Sequence, residues 1–194
     1  MQVVISLVLV LAAASVAGAG PLDSPGAMKA LNCSACHGFA GQSPGETTPI
    51  LAGLWPEYFK KAIADYASGK RPSTEMEPYA KQVIQFGVDD YAAYFGSLTR
   101  EPTKIAADGA AAARGRVAAQ PCVICHGPDG RGDRAKLIPD LAGQPPGYLK
   151  NQMMLFRDDK RSPGDPSVKA IKELMKSLSD DTMTDLAAYY SSRR

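Results

Sequence analysis

The sequence predicts an all-α fold in two tandem units, and three observations lead there. Apolar residues recur at helical spacing, strand-like alternation is absent, and one set of landmarks occurs twice at a nearly constant separation. The landmarks begin with Cys33-Ser34-Ala35-Cys36-His37 and Cys122-Val123-Ile124-Cys125-His126, which are 89 residues apart. Each histidine opens a His-Gly-x-x-Gly turn, through Gly41 and Gly130. Pro49-Ile50-Leu51-Ala52-Gly53 answers Pro139-Asp140-Leu141-Ala142-Gly143 at 90, and Tyr58/Tyr148 and Lys70-Arg71/Lys160-Arg161 keep that offset. Ala92-Ala93-Tyr94-Phe95 and Ala187-Ala188-Tyr189-Tyr190 then stand 95 apart.

Taken in order, the chain starts with an apolar run from Val3 to Gly20 that ends Ala17-Gly18-Ala19. This reads as a signal peptide over residues 1–19, cleaved after Ala19, with an uncleaved membrane anchor as the alternative. Export to the periplasm follows from either. In the first unit, residues 22–98, Pro56 opens a helix with Phe59, Ile63 and Tyr66 on one face, closed by Gly69. Val83 and Phe86 mark the next helix, closed by Gly87, and Tyr91, Phe95 and Leu98 the last. Residues 99–110 break the apolar pattern as a linker. In the second unit, residues 111–194, a helix runs from Pro146 through Leu149, Met153 and Phe156. Val168, Ile171, Met175 and Leu178 share a stripe, followed by Met183, Leu186 and Tyr190. Units of about 80 residues are marginal for a core of side chains alone.

Cys-x-x-Cys-His is the attachment signature of c-type haem. Two thiols, Cys33 and Cys36 or Cys122 and Cys125, must meet the two vinyl groups of one porphyrin edge, and the adjacent His37 or His126 becomes the proximal iron ligand. The two motifs consume all four cysteines and both histidines. The rivals are weaker. Zinc wants four ligands converging on a tetrahedron, a thioredoxin-like dithiol expects a βαβ setting, and two plain disulfides leave the histidines unexplained. Two covalent haems c are therefore expected, one per unit.

With these motifs, the Leu-Ala-Gly turns and the Ala-Ala-Tyr helices together, the chain resembles the dihaem cytochrome c4 family, two class I cytochrome c domains joined by a short linker. The resemblance implies haem edges close together and an electron carrier rather than an enzyme. It implies that Pro49 and Pro139 face the proximal histidines, and that Tyr58, Arg71, Tyr148 and Arg161 lie at the haem edges, where a phenol and a cation suit propionates. It also implies a methionine as sixth ligand. Met76 meets that pattern, being the only methionine between Met28 and the linker and preceding the Val83 helix. In the second unit the offsets of 90 and 95 bracket residues 166–171, a window without methionine. Lys169 is the one side chain there able to bind iron, and Met175, four residues past the window, is the alternative.

Residues 22–98 carry six Lys/Arg against eight Asp/Glu, and residues 111–194 fourteen against ten, giving −2 and +4. Such a dipole orients a carrier on its redox partners. No aromatic-interleaved basic tract points to nucleic acid. The expected function is electron transfer from a dehydrogenase or quinol-oxidising complex, itself membrane-associated or free, to a terminal acceptor, by a monomer or weak dimer. The alternatives are the electron-accepting subunit of a thiosulfate-type dehydrogenase and a haem enzyme with an open second haem. Intact mass spectrometry of the exported protein should give the cleaved polypeptide plus two haem groups. The mass of bare polypeptide with two disulfides would refute the haem reading.

Overall fold

The helices form where the apolar spacing and the start signals coincide. The computed structural model describes residues 22–24 and 26–194; the segment expected as a signal peptide lies outside them. In the first half, α1 (Ala27–Ala30), α2 (Ser34–His37), α3 (Pro56–Ala67), α4 (Met76–Gln85) and α5 (Val88–Ser97) follow one another. The second half has α6 (Gly109–Ala118), α7 (Gln120–His126), α8 (Pro146–Arg157), α9 (Lys169–Lys176) and α10 (Asp180–Ser191). Among the described residues there is no strand, only an isolated bridge between Asp133 and Ile138, so the all-α expectation holds. None of these helices is long and apolar enough to cross a membrane.

Starts and stops follow local chemistry. Pro56 and Pro146 each occupy the first turn of their helix, where a missing N–H costs nothing. Asp108 caps α6 by accepting from Ala111 N at 2.6 Å, and Ser179 caps α10 by accepting from Thr182 N at 3.1 Å. α3 is followed by Gly69 at φ 75°, whereas Asp159 takes the equivalent place after α8 at φ 54°. A non-glycine residue there is strained. The Asp159 carboxylate is tied to buried Lys172 of α9, whose Nζ also donates to Ser162 O. That clamp anchors the longer loop that leads into α9.

In both halves the first helix meets the last at a glycine: Gly26 caps the start of α1, and Gly115 lies within α6. A Cβ at Gly26 would meet Asp90 O at 2.2 Å, and one at Gly115 would meet Asp185 O at 2.0 Å. The repeat thus preserves a backbone-on-backbone approach that no side chain fits. Around the crossings lie two apolar clusters. Phe59, Ile63, Tyr91 and Phe95 dominate the first, with Phe59 and Phe95 rings 5.6 Å apart. Leu149, Leu186, Tyr189 and Tyr190 dominate the smaller second one.

Gly115→Ala should destabilise the holoprotein by about 1–3 kcal/mol in chemical denaturation, because α6 must move off α10. Gly109→Ala, where the added methyl meets nothing within 4 Å, is the control and should be neutral or slightly stabilising.

Candidate haem centre

Each Cys-x-x-Cys-His motif is wound into a short helix that ends on its histidine. α2 stops at His37 and α7 at His126, and the next residue, Gly38 or Gly127, has φ 73° and ψ 168° in both. A Cβ on Gly38 would lie 2.2 Å from Gln42 O, so the reversal there requires glycine. The turn brings the Pro-x-Leu-Ala-Gly segment back to the ring. His37 Nδ1 is 2.8 Å from Pro49 O, and His126 Nδ1 is 3.0 Å from Pro139 O. A carbonyl only accepts, so Nδ1 carries the proton and Nε2 keeps its lone pair. Burial pulls both imidazoles below their ordinary value, against a smaller upward pull from these carbonyls. A neutral ring with a free Nε2 is the form that ligates iron.

Both histidines and all four cysteines line one cavity of about 1200 Å³. That exceeds the roughly 300–1,000 Å³ of a pocket for a single small molecule. The thiols are free. Cys33 is half-buried and its thiol is pushed up to about 11 by burial, while Cys36 is exposed. Cys122 and Cys125 repeat that contrast. No three His, Cys, Asp or Glu side chains converge on a point among the described residues, so a tetrahedral zinc site lacks its ligands.

The walls come from both halves. Tyr58, Phe59, Ile63 and Tyr66 of α3 and Tyr148, Leu149, Met153 and Phe156 of α8 line the cavity. Met76, the first residue of α4, is half-buried in the wall, its backbone N–H accepted by Ser73 Oγ at 3.1 Å. From α9 the wall takes Ala170, Ile171, Leu174 and Met175, with Met175 only 7% exposed. Lys169 is exposed and lies outside the wall. The expectation from spacing places it at the second iron. At roughly 100° per residue Lys169 falls about 160° from Ile171, on the opposite face of the helix. A 3₁₀ turn, Pro166–Val168, leads directly into α9.

Arg71 and Arg161 are buried at the junction of the halves. Arg71 Nη2 donates to Tyr148 Oη at 2.7 Å, and Arg161 Nη2 to Tyr58 Oη at 3.4 Å. Each arginine thus bonds the tyrosine of the other half. Gln152 Oε1 accepts from both arginines. Burial works against the charge of Arg71, but the surrounding phenols, Tyr148 foremost, raise its pKa overall. Neither arginine meets a carboxylate among the described residues. Two buried cations with only neutral partners, lining a cavity with free thiols and neutral imidazoles, fit macrocycles that bear propionates.

Spacing alone did not single out Gln152, Gln144 or Lys172. Gln144 is 3% exposed and bonds the Ile50 backbone twice, accepting from its N–H and donating to its carbonyl, each at 2.9 Å. The signal for both glutamines was a break in the repeat, since their counterparts are Ala62 and Leu54.

A family model described as cytochrome c matches residues 112–193. The chain is 31% identical to cytochrome c4 of Pseudomonas aeruginosa, over 97% of this chain and 96% of that protein. It is 30% identical to a thiosulfate dehydrogenase electron acceptor of Stutzerimonas stutzeri, over 84% and 79%. The crystal structure of reduced recombinant cytochrome c4 from Pseudomonas stutzeri superposes with a TM-score of 0.79 at 28% identity, covering 87% of this chain and 97% of that one.

Lys169→Ala should leave the visible and near-infrared spectrum of the second haem unchanged at neutral pH. A high-spin signal, or a changed potential, would place the amine on the iron.

Proposed function

The chain belongs to the cytochrome c4 family, a dihaem electron carrier, and from that premise we propose that both of its irons are closed by a methionine: Met76 with His37, and Met175 with His126. One observation carries the reading, which is that both thioethers lie in the wall of the cavity that the histidines share. Each bound haem supplies an iron that alternates between ferric and ferrous and so takes or releases one electron. The protein's residues do the rest. Cys33, Cys36, Cys122 and Cys125 hold the macrocycles as thioethers, and the Pro49 and Pro139 carbonyls orient the imidazoles. A thioether opposite histidine raises the potential and keeps small molecules off the metal. The apolar walls exclude water, and Arg71 and Arg161 hold positive charge at the junction, which favours the reduced state.

On this reading the halves over residues 22–98 and 111–194 are two haem units joined by residues 99–110. The protein works in the periplasm, passing electrons from a dehydrogenase or quinol-oxidising complex to a terminal acceptor. A sulfur-compound dehydrogenase is a specific candidate donor, supported by the likeness to a thiosulfate dehydrogenase electron acceptor over 84% of the chain. The net charges of −2 and +4 on the two halves would present different ends to donor and acceptor.

Met76→Ala and Met175→Ala should each remove about half of the near-infrared sulfur-to-iron band and lower the potential of one haem. If Met175→Ala leaves band and potentials intact, the second iron has another ligand.

A further inference from the structure

The two buried arginines at the junction of the halves have contacts that come in counterparts. Arg71 stacks over the Tyr66 ring at 4.5 Å, and Arg161 over the Phe156 ring at 4.5 Å. Their bonds to Tyr148 and Tyr58 are likewise related by the offset of 90. Gln152, which bonds both arginines, has no such counterpart. Its Oε1 accepts from Arg71 Nε at 3.0 Å and from Arg161 Nη1 at 2.7 Å, and the equivalent position in α3 is Ala62, which also lines the cavity.

Two like charges held in a poorly solvated place repel, and each would turn away if free to do so. One carboxamide oxygen accepting from both holds them in a single arrangement without neutralising either. Its own half supplies Arg161, the other half Arg71, so this one side chain acts on both. We propose that Gln152 is a positioning residue for electron transfer: it fixes the two buried guanidinium groups between the haems, and through them it sets the potentials of both haems at once. A residue attached to the second half thereby controls the first. The proposal rests on the two-haem reading, which is tested separately by the haem content of the unaltered protein.

The experiment is spectroelectrochemical titration of the holoprotein, with the near-infrared band as a check that ligation is intact. Gln152→Ala should shift the potentials of both haems. Gln152→Glu keeps the shape and adds an anion between the arginines, where it stays ionised, and should lower both potentials together. The decisive variant exchanges the two residues, Ala62→Gln with Gln152→Ala. The repeat then delivers the carboxamide to the same two guanidinium groups from the other helix, and both potentials should return toward those of the unaltered protein. A response confined to the second haem overturns the proposal. So does failure of the exchange to restore the first haem, since a side chain that merely packs α8 cannot be replaced from α3. Should Gln152→Ala fold poorly, Gln152→Glu carries the test, and an unmoved first haem decides against it.

Discussion

The structure depends on a centre that its own side chains do not fill. Each half arranges its helices around a space, and in the second half the apolar cluster has six buried residues, Ala119, Leu149, Leu186, Ala187, Tyr189 and Tyr190, with six partly buried hydrophobics against it. At about 25 cal/mol per Å² of apolar surface removed from water, so small a cluster stands little chance against the entropy of ordering the chain. A covalently attached macrocycle closes that gap. The helix crossing at Gly115, the turn after His126 and the wall of α8 and α9 then follow as ways to surround a flat, rigid group.

The second constraint is electrical. Burying a guanidinium ion without an anion is expensive, by several kcal/mol even after relaxation. The chain does it twice, at Arg71 and Arg161, with phenols, a carboxamide and aromatic faces as the protein's contribution. Two propionate-bearing groups would supply the anions that the protein's own side chains do not. Surface ion pairs across the same boundary, such as Arg134 with Glu57 at 2.9 Å, are exposed and add little.

Much of this was legible in the residues, and the reasons differ by feature. Helix starts at Pro56 and Pro146 were readable because proline's fixed φ acts locally. The paired histidine turns were readable because the repeat shows them twice. The outward face of Lys169 was not readable, because offset arithmetic locates a residue along the chain but not around a helix. The partners of Arg71 and Gln144 were hidden for another reason: they sit 77 to 94 residues away, across an interface whose packing no single stretch encodes.

The one-sided bonding of Gln144 bears on how the halves choose each other. In a pair made of two first halves, Leu54 would stand where Gln144 now serves the Ile50 backbone, leaving a buried N–H and carbonyl unpaired at about 1–3 kcal/mol each. Two first halves would therefore associate less well than the unlike pair. The faces thus carry part of the preference for the unlike neighbour over a second first half, beyond what the tether from residue 99 to 110 supplies.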